Sequence, residues 1–376
     1  MATSTSTGLL SALGAVSDPR KTRGVRHRFV SVLAVGICAV LAGAKSFAAI
    51  ADWAHDLPPG VRASLGIGRV PPSESTIRRM LQQVDPDHLD QVISGWLLAQ
   101  HPAPTAAIPT ARVPVRVPAR KVFAVDGKSA RGSRCGQGRA VHLFAALDQH
   151  TGTVLGQVAV DAKTNEINAF GPLLDRIDIT GAVITADALH TQRGHVDYLT
   201  GRGAHYILVA KANQPTLYDQ LRSIPWKDIP AADTTTGKGH GRRESRTVKL
   251  TEVRAGIDFP GARLAIQVIR TRNRPGQVRA TKETVYAITS LSHDDATATQ
   301  LADAIRGHWS IEVLHWIRDV TFAEDLSQIR TGAGPQVMAG LRNLAVSLHR
   351  LAGQTNIAAA CRRVNRYPER VLSLIG

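Results

Sequence analysis

Residues 122–127 read VFAVDG, 140–148 AVHLFAALD and 154–160 VLGQVAV; beyond them come Glu166 to Ile177, AVITAD at 182–187, Thr191 to Arg202, HYILVAK at 205–211 and Pro215 to Ile224. The first three are short apolar runs separated by Gly-rich or His-Thr-Gly turns, the pattern of consecutive antiparallel strands. After them, stretches of helical period alternate with two further apolar strands. The order βββαβαβα predicts a mixed α/β core.

Upstream, residues 1–100 have helical character. An apolar run covers 29–53, Ser73 is placed to N-cap the segment from Ser75 to Leu81, and Leu89 to Leu98 follows. Five prolines between His101 and Lys121 resist both helix and central strand, so 101–121 is read as a linker. Downstream, 227–292 is strand-rich and basic: residues 241–290 hold eleven Lys/Arg against four Asp/Glu, enough for an exposed cationic sheet. Helical period returns from about Thr297 to Phe322 and from Gln336 to Leu351, and 354–376 reads as a basic tail. The expected domains are therefore 1–100 (α-helical), 122–226 (first part of the α/β core), 227–292 (basic β-rich insertion) and 293–353 (last part of the core).

The whole chain, 376 residues with 46 Lys+Arg against 30 Asp+Glu, carries a formal charge of +16, which points to a polyanionic partner and first of all to nucleic acid. Cys38, Cys135 and Cys361 lie far apart with no CxxC spacing, which argues against a zinc site or a disulfide framework and suits a reducing cytoplasm. The uncharged stretch Phe29 to Ala44 is too short for an ordinary membrane span, is interrupted by Lys45, and reads as a buried helix.

Three motifs fail on their chemistry. Gly127-Lys128-Ser129 lacks the first glycine of a phosphate-binding loop, because position 122 is Val. Glu312-x-x-His315 has di-iron spacing but no second copy. No Gly-x-Ser-x-Gly elbow supports a serine hydrolase. The acids say more. Asp126 and Asp187 each end an apolar strand, where a carboxylate is either a turn residue or cap or part of a site at which strand ends converge. His308, Glu312, His315 and Asp319 share one helical face. That stripe is either solvated or turned to the sheet, and the flanking Trp309, Ile311, Trp316, Ile317 and Phe322 favour the sheet.

The motifs AVDGKSARGS, KTNEINAF, ITADALHTQ, YILVAKANQPTL, HGRRESRTV and RGHWSIEVLHWIRDVTFAEDLSQIR together resemble the DDE transposases of bacterial insertion sequences, in the ISAs-type branch that includes the H-repeat-associated proteins. DPRKTRGVRHRFVSVLAVGICAVLAGAKSFAAIADW is similar to that branch's associated α domain, so the likeness runs from about residue 10 to about 350. It implies a ribonuclease H-like mixed-sheet catalytic core with a β-rich insertion, preceded by a small α-helical domain. It also implies catalytic and metal-binding acids Asp126, Asp187 and Glu312. Related enzymes keep Y-x2-R-x3-E-x6-K around the last acid, where this chain has Ile305, His308 and Asp319.

The activity so implied is Mg²⁺-dependent cleavage at element ends followed by strand transfer into target DNA, with Mn²⁺ able to substitute. Two ions held by carboxylate oxygens suffice for it and need no Cys or His cage. Asp126 is expected to bridge both ions, with Asp187 on one and Glu312 on the other. Lys128, Arg131, Lys211, Arg242, Arg243, Arg246 and His308 are the expected phosphate contacts, and Arg78 and Arg79 the expected readers of the terminal inverted repeats. A homo-oligomer on DNA, in the cytoplasm at the nucleoid and off the membrane, completes the expectation. Two alternatives stand beside it: a catalytically decayed DNA-binding relic, and a ribonuclease H-like nuclease that hydrolyses without joining.

Overall fold

The computed structural model describes residues 8–21, 25–99, 120–160, 165–239, 242–273 and 280–376; the proline-rich linker falls almost wholly outside them. The helices are α1 (Leu9–Leu13), α2 (Phe29–Leu41), α3 (Phe47–Asp56), α4 (Pro59–Ser64), α5 (Glu74–Gln83), α6 (Pro86–Ala99), α7 (Glu166–Leu174), α8 (Arg193–Gly201), α9 (Pro215–Ser223), α10 (Ala298–Gly307), α11 (Trp309–Val320), α12 (Gly334–Leu351), α13 (Ile357–Arg366) and α14 (Arg370–Ile375). The strands are β1 (Val122–Ala130), β2 (Val141–Asp148), β3 (Val154–Val160), β4 (Val183–Ala186), β5 (His205–Ala210), β6 (Asp233–Gly239), β7 (Arg242–Glu252), β8 (Leu264–Asn273) and β9 (Thr281–Thr289). From β1 to α9 the order is βββαβαβα, as the sequence predicts.

Nine strands hydrogen-bond in the order β3-β2-β1-β4-β5-β9-β8-β7-β6. β2 and β3 are antiparallel, β1, β4 and β5 are parallel, and β5, β9, β8, β7 and β6 run antiparallel in turn. The first five strands have the order expected of a ribonuclease H-like core. The basic segment does not form a separate module: β9 pairs directly with β5, Ile207 opposite Thr289, so 233–289 widens the same sheet.

The chain divides into two compact units, one of residues 1–107, 127–177 and 310–376, the other of 108–126 and 178–309. In the first, α12 is the central helix, buried along nearly its whole length and packed on α2, α5, α6 and β3. The apolar run at 29–41 is the buried helix α2, and no described helix is long and apolar enough to cross a membrane. Ser73 caps α5 as expected, accepting from Thr76 N–H at 3.4 Å. Side chains from the helices also satisfy the edge strand β3. Asp90 accepts from Gln157 N–H at 2.8 Å and Ser347 Oγ from Val154 N–H at 3.0 Å, so the open edge is covered instead of being left to pair with another chain. The segment read as a basic tail is helical: Ile357, Ala360, Cys361 and Val364 in α13 and Val371 and Ile375 in α14 are buried.

The first unit also buries charge. Arg318 of α11 and Arg342 of α12 both bind Glu324, the bidentate Arg318 contacts at 2.8 and 2.9 Å and the Arg342 contact at 2.9 Å. All three residues are at most 2% exposed. Burial alone would raise the Glu324 pKa, but the two guanidiniums outweigh it and hold it at about 2. Ala323, with φ 50°, makes the left-handed step that starts the turn carrying Glu324.

In the second unit one sheet face is closed by α10. Leu301 and Ala304 pack with Val183, Ile207, Val248, Leu250, Leu264, Ile266 and Ala287. Tyr206 and Phe259 meet edge to face at 6.1 Å between ring centroids, and Tyr206 O–H donates to Pro260 C=O at 2.7 Å.

Glu324→Gln leaves two buried guanidiniums without their counter-charge, a loss of about 3–5 kcal/mol for an ion network broken on one side. Urea unfolding should show a correspondingly lower midpoint with an unchanged slope; an unchanged midpoint would mean that the network contributes nothing to stability.

Candidate functional site

β1 and β4 pair in parallel register, Val122 to Val125 opposite Val183 to Ala186. The next residue on each side is a carboxylate, so Asp126 and Asp187 both lie just beyond the last paired residues, Asp187 after the end of β4 but Asp126 inside β1, which runs on to Ala130 and does not end at the acid as the sequence suggests. Buried Phe123, Ala124, Val125, Val183, Ile184 and Ala186 hold that register. Asp187 also accepts from Leu189 N–H at 2.9 Å, capping the turn at 188–190, so the cap reading holds for it without excluding a site. Lys211, exposed, follows the end of the adjacent parallel strand β5.

His308 belongs to this group. Its Nδ1 is 3.0 Å from the Oγ1 of Thr185, which precedes Asp187 on β4 by one full strand repeat. Burial lowers its pKa; Asp187 opposes that, while His190 and Lys211 add to it, and the ring is neutral at neutral pH. Among the expected site residues, the structure thus gathers Asp126, Asp187, His308 and Lys211 in the second unit.

Glu312 is in the first unit, exposed on α11, whose buried side is Ile311, Leu314, Ile317 and Arg318. Two sequence expectations change here. The helical period from 297 to 322 is two helices broken at His308. The tryptophans do not close the helix off from solvent: Trp309 is 56% and Trp316 61% exposed. His315 and Asp319 are half-buried while Glu312 faces outward, so the polar stripe straddles the edge of the buried face.

The expected phosphate contacts divide. Lys128 is buried, its ammonium 2.7 Å from Asp319 and 3.7 Å from Asp325; it is a tie between β1 and α11, not a surface cation. Arg131 is exposed and donates its backbone N–H to Asp325. Arg78 and Arg79 are exposed on α5, Arg78 3.4 Å from Glu74 and Arg79 Nε donating to Ser75 C=O at 3.1 Å. Arg243 is exposed, the Arg242 side chain lies outside the described residues, and Arg246 is half-buried against Glu244 at 2.8 Å. Glu244 also binds Arg270 at 2.7 Å and has Arg272 at 3.7 Å. Sequence reasoning misses those two arginines, although IRTR at 269–272 places both on one strand face.

A second polar chain also escapes the sequence. Ser129 Oγ lies 2.8 Å from His142 Nδ1, and His142 Nε2 lies 2.7 Å from Glu166 Oε1. A Cβ on Gly127 would come within 2.1 Å of that Glu166 oxygen, so position 127 must be glycine for the pair to pass. A glycine inside a strand is the signal that could have found it.

Among the described residues no group of three His, Cys, Asp or Glu side chains is gathered tightly enough to hold a metal ion. Asp126 and Asp187 nonetheless supply the donor type a hard divalent cation takes, since Mg²⁺ binds through one or two carboxylates and keeps its remaining positions for water and phosphate.

Comparison with known proteins follows the same lines. Residues 117–348 match the transposase DDE domain family, and 10–97 match the domain associated with it. The candidate transposase YncI of Escherichia coli O157:H7 is 28% identical over 91% of this chain and 87% of its own length. The H repeat-associated candidate transposase YhhI of Escherichia coli K12 is 28% identical over 90% and 89%. A piggyBac transposase synaptic complex with hairpin DNA is a structural neighbour at 10% identity, covering 95% of this chain and 74% of that one with a TM-score of 0.43.

Two buried groups give stability opposite pH dependences. His315, held down to about 3 by burial and by Arg318 and Lys128, is charged in the unfolded chain below about 6.5 but not in the folded one, so its contribution is lost as pH falls through that value. Asp90, pushed up to about 7 by burial, takes its proton in the folded chain first, so its contribution grows as pH falls below 7. Urea midpoints between pH 7 and 5 should therefore fall less steeply in His315→Gln than in wild type, and more steeply in Asp90→Asn. Parallel curves for all three would refute both assignments.

Proposed function

The chain belongs to the DDE transposase family, and we propose that it cuts DNA at the ends of a mobile element and joins the freed ends to target DNA. The observation that carries the reading is the β1–β4 register, which sets two carboxylates just beyond its last residue pair, beside a neutral histidine. Asp126, Asp187 and Glu312 would hold Mg²⁺ or Mn²⁺, which supplies charge stabilisation at the attacked phosphate and its two in-line oxygens.

Cleavage breaks the P–O3′ bond as a water oxygen bonds to phosphorus, leaving a 3′-hydroxyl. Joining is the same displacement with that 3′-oxygen attacking a target phosphodiester. His308, uncharged and fixed on Thr185, is suited to hydrogen-bond DNA or water near Asp187 without competing with a cation for that carboxylate. Lys211, just beyond β5, and Arg131, just beyond β1, are exposed cations that suit phosphate positioning. Arg243 on β7 and Arg78 and Arg79 on α5 extend the cationic surface available to a long duplex, consistent with the formal charge of +16. Lys128 acts differently, since its pairing with Asp319 anchors the helix that carries Glu312.

Asp126→Asn, Asp187→Asn and Glu312→Gln should each abolish Mg²⁺-dependent strand cleavage while end binding stays within several-fold, because each removes charge with little change in shape. Binding should weaken with salt at a log–log slope of roughly −0.9 per phosphate contact. A Glu312→Gln protein that still cut at the wild-type rate would refute the assignment of the third acid. Glu324 could not replace it, being committed to Arg318 and Arg342.

A further inference from the structure

A second set of reactive groups lies wholly within the first unit. Ser129 near the end of β1, His142 at the start of β2 and Glu166 in the first turn of α7 form one chain, with Ser129 Oγ 2.8 Å from His142 Nδ1 and His142 Nε2 2.7 Å from Glu166 Oε1. Each position is prepared by its element. Asn165 caps α7 by accepting from Ile167 N–H at 3.1 Å, which fixes Glu166 in the first turn. Gly127, on the same strand face as Ser129, leaves open the space that a Cβ would take from the Glu166 carboxylate and from His142 Nε2. The Ser129 hydroxyl is exposed, whereas the His142 and Glu166 side chains are only 29% and 16% exposed. Ser133 and Ser347 show the contrast: they are buried hydroxyls that brace the fold by bonding backbone N–H and C=O groups. Ser129 instead stands at the surface and bonds to an imidazole.

From this geometry we propose that Ser129 is a nucleophile for acyl transfer from small carboxylic esters, activated by His142 and held ready by Glu166. A carboxylate only accepts, so the Glu166 contact puts the imidazole proton on Nε2 and leaves Nδ1 to accept from the Ser129 hydroxyl. This is the nucleophile, base and orienting group of a triad, which is recognised by geometry and not by a local motif such as the elbow this chain lacks. Ser129 Oγ bonds to the ester carbonyl carbon as its proton passes to His142 Nδ1; the carbon–alkoxide bond breaks and the alkoxide leaves with that proton. Water then attacks the acyl-serine, its proton passing through the same nitrogen to Oγ as the acid is released. His142 is the catalytic base and Glu166 a positioning residue. With the nucleophile at the surface, little of a substrate beyond its carbonyl is enclosed, which selects small esters with good leaving groups. No step draws on a divalent cation, so this activity is separable from the proposed DNA chemistry.

The test uses the full chain in EDTA with p-nitrophenyl acetate and, separately, a fluorophosphonate that labels activated serines. The wild-type protein should hydrolyse the ester and carry the phosphonyl group on Ser129, as read by peptide mass mapping. Its labelling rate should rise with pH through the titration range of an imidazole. Ser129→Ala, at an exposed position, should remove both reactions, and His142→Gln should lower both at least about a hundredfold and abolish the pH step. Glu166→Gln, whose amide can donate to Nε2 and move the imidazole proton to Nδ1, should slow labelling at least about tenfold while keeping that step. Hydrolysis by the wild type no faster than by Ser129→Ala would overturn the proposal. So would labelling of Ser129 that is no faster in the folded wild-type chain than in the same chain unfolded in urea.

Discussion

What fixes Asp126 and Asp187 relative to one another is the parallel pairing of β1 with β4 just before them, and something must hold that pairing. Here it is the burial of the strands behind them: Val122 to Val125 against Val183 to Ala186, with β5 beyond, in a register that one residue of slip would destroy by sending each acid to the opposite face. In the proposed reading, these two carboxylates would attract a divalent cation and, through it, a phosphate. α10, packed on Val183 and Ile207, helps to keep that pairing in place.

The helix carrying Glu312 is secured by different means. Arg318 reaches inward to Glu324, Arg342 closes the network from α12, and Asp319 binds Lys128 of β1. Buried ions seldom add net stability relative to apolar residues of the same shape, but each requires its partner in one geometry. The inward side of α11 thus has one acceptable rotation. That rotation turns Glu312 and the two indoles outward together, so the fixed side of the helix determines what its exposed side presents.

Much of the core is legible in the sequence because it obeys short-range rules. The strands from β1 to β5 are apolar runs bounded by turn residues, α2 is an uninterrupted apolar helix, and Ser73 marks the start of α5. What escapes depends on partners distant in sequence. Lys128 reads as a free cation until Asp319, 191 residues on, is seen beside it. The break at His308 is announced only by Gly307, because apolar spacing continues across it. Hydropathy sends Trp309 and Trp316 to the interior, because it cannot tell a core indole from an exposed one. The C-terminal segment reads as a tail because its arginines dominate the composition, although Ile357, Ala360, Cys361 and Val364 already have helical spacing. The acids at 126, 187 and 312 are recognisable through motif resemblance, whereas the arginines around Glu244 need the pairing of β7 with β8 to come together.

Whether Asp126, Asp187 and Glu312 hold divalent cations at one shared site when DNA is bound is tested most directly by replacing Mg²⁺ with Fe²⁺ in the DNA complex and mapping where peroxide, reacting at the bound iron, cuts the polypeptide. Cuts are expected close to residues 126, 187 and 312, all three suppressed together by excess Mg²⁺ and by Asp126→Asn. Cuts clustered instead at His142 and Glu166, or cuts at the two aspartates with none near Glu312, would contradict a shared site.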